Sequence, residues 1–200
     1  NYWADGNGGY SPYVPERELS GLSLALSPPL GGPVFDFAQP VFLEVALTNL
    51  SGQPMDLPGV LLDPKAGFLD ILIRRKTSGP PADQAPPRLF VPIVQRCFDL
   101  DPGVMATVPH GESIRNNLNL TYGSGGFSFA EPGEYEVTAV MAIYDRDNRV
   151  DLILRSDPLL IRVAYPRSPE EENEAFVLLR DDVGVYLALG GSDGLEQARE

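Results

Sequence analysis

Apolar residues alternate with polar ones along several stretches of this chain. In "VFLEVALTN", Val41, Leu43, Val45 and Leu47 occupy every second position, and Glu44 falls on the opposite face. Successive side chains of a β-strand point to opposite faces, so the pattern predicts strands with one buried face and one wet face. The same alternation occurs in "LSLAL", "FLDILIRRK", "SIRNNLNLTY", "EYEVTAVMAI" and "DPLLIRVAY".

Turn signals separate these stretches. Segments such as "SPPLGGP", "SGPPADQAPP", "EPGE" and "DRDN" combine Gly, Pro, Asp and Asn, which favour turns for local backbone reasons. The glycine-rich "YGSGGFSF", residues 122–129, is interpreted as a flexible loop, and Tyr165 is placed on the buried face of the last strand. Seven or more short strands at this spacing predict an antiparallel β-sandwich over residues 19–166, without helices in it.

One region also resembles a known superfamily. The segments "PGEYEVTA" and "SDPLLIRV" are similar to the closing strands of bacterial immunoglobulin-like and fibronectin-like β-sandwich domains, and "VFLEVALTNLSGQPMDLP" resembles an early strand. The resemblance covers roughly residues 20–166 and implies a fold rather than a function. It implies that Tyr135 forms a tyrosine corner, in which a buried ring bonds a backbone group upstream through its hydroxyl.

The chain divides into three parts. Residues 168–200 hold nine acidic and two basic side chains, so the last segment differs in charge from the body. Ser168 is a suitable helix N-cap and Pro169 suits the first helical position, which predicts a helical tail. We therefore expect an aromatic, glycine-rich arm over 1–18, the sandwich over 19–166 and an acidic helical tail over 167–200 that begins a further segment.

Charge and composition narrow the classes of function. The formal net charge of -13 disfavours binding to nucleic acid, and no apolar run reaches the roughly 20 residues of a membrane helix. The single cysteine, Cys97, is interpreted as a small buried hydrophobe, because its pairing with the single histidine, His110, lacks the signatures of a catalytic thiol. No other catalytic motif is present, so the sequence predicts that the chain is not an enzyme.

The N-terminal arm is the first candidate site. Asp5, Asn7 and Glu16 fit positions 1, 3 and 12 of a calcium-binding loop, but Gly9 and Tyr10 occupy positions 5 and 6, where an oxygen ligand and a glycine are needed. We therefore expect a docking arm rather than a calcium site, one that packs on the body or on a partner, since aromatic residues contribute strongly at interfaces. The aromatic residues of this arm are Tyr2, Trp3, Tyr10 and Tyr13.

An acidic cluster in "YDRDNRVD" is the second candidate. Asp145, Asp147 and Asp151 are weak candidates for a calcium site, although Asp and Asn also favour a simple hairpin turn. No cofactor is predicted from this pattern, and calcium is the one metal left open.

Three functional classes follow from these observations. The first is a non-catalytic module of a secreted or cell-envelope bacterial protein, serving adhesion, assembly or spacing through a protein partner or a neighbouring domain. The second is a carbohydrate-binding or accessory domain of a larger hydrolase, in which exposed aromatic rings stack on a glycan. The third is an enzyme with paired carboxylates, which spacing alone does not identify.

Overall fold

The computed structural model describes residues 16–79, 84–94, 105–145, 148 and 150–189. In these residues the chain forms strands connected mostly by turns, and two α-helices follow the last strand. In chain order the elements are β1 (Glu16–Glu18), β2 (Leu22–Ser27), β3 (Val34–Phe35), β4 (Phe42–Asn49), β5 (Met55–Pro58), β6 (Leu69–Arg75), β7 (Arg88–Phe90), β8 (Met105–Val108), β9 (Ser113–Asn119), β10 (Tyr122–Gly123), β11 (Gly126–Phe127), β12 (Gly133–Asp145), β13 (Val150–Arg155), β14 (Leu159–Val163), α1 (Pro169–Leu178) and α2 (Asp181–Leu189).

The largest sheet has seven strands arranged around β12. One edge of β12 pairs with β6, and the other edge pairs with β13 and β14 in succession. All three pairings are antiparallel, as the alternating pattern predicted. Two short strands were not predicted, and they pair in parallel: β1 with β13 and β3 with β14.

A β-bulge separates β13 from β14. Val140 pairs with Arg155, and Val137 pairs with Leu159. Between these two pairs, two residues of β12 lie opposite three residues of the segment that joins β13 to β14. The hydroxyl of the buried Ser156 accepts a hydrogen bond from the Ala139 backbone N–H at 2.9 Å. The extra residue is thus accommodated without leaving that buried N–H unpaired.

A second sheet has three antiparallel strands in the order β2-β4-β9. Its buried residues, such as Leu43, Val45 and Leu118, belong to the same apolar cluster as Ile71, Val137 and Ile161 of the large sheet. Both sheets therefore contribute one face to a common core. Two further two-stranded sheets, β5 with β8 and β10 with β11, complete the β structure.

A buried asparagine organises the end of β4. Asn49 is 0% exposed, and its amide nitrogen donates to the carbonyl oxygens of Gln53 at 2.7 Å and Val108 at 2.8 Å. Its amide oxygen accepts from the N–H of Ser51 at 2.9 Å and from the hydroxyl of the same residue at 2.7 Å. Every polar atom of this side chain is bonded, so one residue connects the turn after β4 to the end of β8.

The first α-helix begins at the predicted signals. The hydroxyl of Ser168 accepts from the Glu171 N–H at 3.2 Å, and Pro169 is the first residue of α1. Phe176 of α1 packs edge-on against Phe37 in the loop after β3, with ring centroids 6.3 Å apart. The second helix, α2, contacts the β10–β11 hairpin.

The mainly β, largely antiparallel architecture with C-terminal helices is confirmed, but three details differ from the sequence interpretation. Tyr165 is 67% exposed because β14 ends at Val163, before the tyrosine can enter the core. The segment expected as a flexible loop forms the β10–β11 hairpin. The prediction of helices only after Ser168 missed two 3-10 turns, Gly59–Leu62 and Pro64–Ala66, which no hydrophobic period marks.

Candidate functional site

A groove of about 250 Å³ lies beside β9. Residues of β9 form one wall, and the segment that follows β7 forms another, with Phe90, Pro92, Ile93 and Val94. Asp63, Pro64 and Lys65 contribute from the second 3-10 turn, while Tyr122 and Ala188 contribute from β10 and α2. The groove is thus built by segments that are distant in the sequence.

The backbone of β9 presents a free edge on the side away from β4. Leu120 donates its N–H to the Val41 carbonyl, and Asn49 donates its N–H to the Glu112 carbonyl. Both bonds fit the register that pairs Leu43 with Leu118. Hydrogen-bonded pairs alternate in an antiparallel ladder, so the even-numbered residues 112–120 turn their backbone groups toward β4.

The odd-numbered residues of β9 consequently point their N–H and C=O groups away from β4. These are Ser113, Arg115, Asn117 and Asn119, and β9 pairs with no other strand among the described residues. Within that part of the chain, no backbone hydrogen bond reaches Arg115, Asn117 or Asn119 from the groove side. In the part of the chain that the structure describes, the groove therefore contains an open strand edge.

Two of the three asparagine side chains at the groove are engaged within the protein. The Asn116 amide donates to the Leu62 carbonyl at 2.9 Å, and the Asn119 amide donates to the Leu187 carbonyl at 2.9 Å. The exposed Asn117 carboxamide and the Lys65 ammonium group make no hydrogen bond or ion pair with the described residues. These two side chains are available to a ligand.

Tyr122 holds α2 against one end of the groove. Its hydroxyl donates to the Asp181 carboxylate at 3.0 Å, and its ring packs edge-on against Phe127, with centroids 4.9 Å apart. Burial, together with the bond to Asp181, raises the pKa of the Tyr122 hydroxyl. A Cβ atom on Gly184 would lie 2.1 Å from the Tyr122 ring, so only glycine allows the helix to approach this closely.

Tyr135 lies away from this groove, in the core between the sheets. Its ring is 4% exposed, and its hydroxyl donates to the Glu131 carbonyl, four residues upstream, at 2.7 Å. The ring packs edge-on against Phe129, with centroids 5.1 Å apart. Burial raises the pKa of the Tyr135 hydroxyl.

The remaining predicted site residues are not brought to the groove by the described structure. The aromatic arm, with Tyr2, Trp3, Tyr10 and Tyr13, lies outside the described residues, as do Asp147 and Cys97. Asp145 and Asp151 lie on β12 and β13 near the end of their hairpin. In the described part of the chain, no three His, Cys, Asp or Glu side chains come together in a way that could hold a metal ion.

His110 makes a structural contact between two turns. Its Nδ1 atom accepts a hydrogen bond from the Gly52 N–H at 3.1 Å, which joins the turns after β4 and β8. The imidazole is thereby involved in holding two loops together.

The groove itself was not predicted from the sequence. The sequence signal nearest to it is "RNNLNL", in which polar residues interrupt an apolar alternation. Lys65 and Val94 carried no such signal, because their proximity to Asn117 depends on the folded chain.

Comparisons with known proteins give only distant likenesses. No family model matches the chain, and no curated protein matches it. A β-glucosidase from Listeria innocua in complex with glucose aligns with 72% of this chain and 16% of its own, at 14% identity and a TM-score of 0.35. A CARDB domain from Pyrococcus furiosus aligns with 74% of this chain and 98% of its own, at 14% identity and a TM-score of 0.34.

A DNA glycosylase, AlkC from Pseudomonas fluorescens, aligns with 72% of this chain and 31% of its own, at 12% identity and a TM-score of 0.36. Likenesses of this size assign neither a fold nor a function. Among the described residues, no helix is long and apolar enough to cross a membrane.

Proposed function

We propose that this chain is a non-catalytic interaction module with an immunoglobulin-like β-sandwich fold, and that the groove beside β9 is its binding surface. The observation that carries the proposal is the composition of this groove. It combines exposed apolar side chains, Ile93 and Val94, with the open edge of β9 and with the available side chains of Lys65 and Asn117. Ligand sites typically combine apolar walls with a few polar groups that fix orientation.

The module fits a secreted or cell-envelope bacterial protein that serves adhesion, assembly or spacing. Its partner in this proposal is another protein or a neighbouring domain, and the aromatic arm provides a second contact through Tyr2, Trp3, Tyr10 and Tyr13. With a net charge of -13, the chain repels nucleic acid, so a protein surface is the better match.

A glycan is the second candidate ligand. The rings of Phe90 and Tyr122 and the carboxamide of Asn117 line the same groove. Aromatic rings and amides are the groups that stack on sugar rings and bond their hydroxyls, which supports the alternative of a carbohydrate-binding or accessory domain.

The experiment is a binding screen against an array of soluble glycans and a displayed library of random nine-residue peptides. Asn117→Trp fills the groove from an exposed strand position, and Arg162→Trp is the matched control on the exposed face of β14. We expect the ligands obtained in the screen to lose at least about tenfold in affinity on Asn117→Trp and to keep their affinity on Arg162→Trp. Ligands that respond equally to both variants would place binding outside the groove and overturn the proposal.

A further inference from the structure

We propose that the ligand of this groove is an extended polypeptide segment of a partner protein, which adds as a strand to the free edge of β9. This inference rests on the proposed function and names the class of partner for the same site.

The first argument is the geometry of the strand edge. Arg115, Asn117 and Asn119 direct backbone N–H and C=O groups toward the groove side, and no backbone bond reaches them from the described residues. An extended peptide presents donors and acceptors at the same two-residue spacing, so it can satisfy this edge through main-chain hydrogen bonds.

The second argument concerns the opposite wall. Ile93 is 37% exposed and Val94 is 47% exposed, and both lie at the groove with Phe90 and Pro92. Alternate side chains of an added strand point to opposite sides, so one set of its residues can cover this apolar wall. The matching peptide therefore carries apolar residues at alternate positions.

Charge complementarity supplies a third argument. The ammonium group of Lys65 makes no ion pair with the described residues, whereas the Asp63 carboxylate at the same end already accepts the Lys65 backbone N–H at 3.0 Å. The cation is therefore the charged group that a ligand can neutralise. The partner segment is expected to carry one acidic residue among its alternating apolar ones.

At Asn117, the contribution of the backbone N–H to binding can be separated from that of the side chain. The Asn117 N–H points away from β4, so Asn117→Pro removes a ligand-facing donor without removing a bond to β4. Proline is tolerated on edge strands where its missing N–H faces outward. Asn117→Val is the matched control, since it removes the carboxamide but keeps the N–H and suits a strand.

The test uses peptides selected from the displayed library of random nine-residue sequences. We expect the selected peptides to show alternating apolar residues with an acidic residue. We also expect them to lose at least about tenfold more affinity on Asn117→Pro, which removes the N–H, than on Asn117→Val, which removes only the carboxamide. Equal losses on both variants would overturn strand addition while leaving the groove as the binding surface. No loss on either variant would overturn both this inference and the proposed function.

Amide hydrogen exchange of the full chain, measured by NMR, gives an independent readout. On saturation with a selected peptide, we expect exchange at Arg115, Asn117 and Asn119 to slow at least about tenfold, while Asn116 and Leu118 are protected with or without peptide. Protection of the Asn117 amide in the free protein, or an unchanged exchange rate when the peptide is bound, would overturn the proposal.

Discussion

Asn49 illustrates how one buried side chain can determine the shape of a loop. Its carboxamide donates two hydrogen bonds to carbonyl oxygens and accepts two from Ser51, without any contact to water. Only a group with both donors and acceptors satisfies these partners. The buried position is therefore chemically more restrictive than an apolar core position of the same size.

We predict that Asn49→Asp destabilises the protein by about 3 kcal/mol or more at pH 7, because a buried carboxylate would face two carbonyl oxygens without a donor. Acidification to about pH 4 should restore part of this loss, since a protonated carboxyl group can donate once. Urea unfolding at both pH values measures the effect. Asn117→Asp, at an exposed position, is the control and should change stability by less than about 0.5 kcal/mol at pH 7.

Tyr135 gives a second prediction at the residue scale. Its hydroxyl bonds the Glu131 carbonyl from a buried ring, so Tyr135→Phe should lower the free energy of unfolding by about 1 kcal/mol. Tyr165→Phe is the control because that ring is exposed. An unchanged urea midpoint in Tyr135→Phe would contradict a stabilising role for this bond.

The same hydroxyl predicts a dependence on alkaline pH. Burial raises the pKa of Tyr135 in the folded protein, so the stabilisation by its protonated form is complete below the unfolded pKa of about 10. It is lost as the pH rises through the higher folded value. The stability difference between the unmodified protein and Tyr135→Phe should therefore stay constant from pH 8 to about pH 9 and shrink above about pH 10, which urea unfolding at each pH can measure.

At the scale of elements, α2 is held by contact rather than by its own preference for a helix. Gly184 lies inside this helix, where glycine usually costs about 1 kcal/mol relative to alanine. The position nevertheless requires glycine because the ring of Tyr122 occupies the space of a Cβ atom. Local preference and packing oppose each other here.

We predict that Gly184→Ala lowers the stability of the protein, contrary to its effect in an isolated helix. In a Tyr122→Ala background the ring is absent, so the same substitution should be neutral or stabilising by up to about 1 kcal/mol. A double-mutant cycle by urea unfolding measures this reversal of sign. A stabilising effect of Gly184→Ala in both backgrounds would contradict the close packing of α2 on Tyr122.

The elements also differ in how far the sequence could predict them. β4, β6 and β12 each place apolar residues at alternate positions against the core, so their faces were evident from periodicity. β3 and β7 have only two and three residues, and each exists because a neighbouring strand supplies its bonds. Such strands depend on tertiary partners that a local pattern does not contain.

At the scale of the whole molecule, the net charge of -13 produces self-repulsion in the compact state. Interactions between exposed charges are screened beyond about 30 Å at 0.01 M salt and beyond about 8 Å at 0.15 M salt. We predict that raising NaCl from 0.01 M to 0.15 M increases the melting temperature by a few degrees. A fall in melting temperature over this range would instead show that attractive ion pairs outweigh the repulsion.

The candidate site was the least predictable part of the molecule. Asn117 could be placed on a strand from the alternation in "SIRNNLNLTY", but the groove also needs Lys65, Val94 and Ala188. These residues belong to segments whose spacing carries no periodic signal, and only the sheet arrangement brings them together. Alternation predicts which side of a strand is buried, not which strand remains without a neighbour.

The late position of β13 and β14 in the chain has a consequence for synthesis on the ribosome. The sheet β2-β4-β9 is complete in sequence by Asn119. Among the described residues, β1 and β3 pair only with β13 and β14, which lie at residues 150–163. A nascent chain that ends before these strands therefore carries β1 and β3 without a partner while half of the core can already collapse. Chain growth thus separates an early sheet from a late one, and stalled or truncated products are the species most exposed to aggregation.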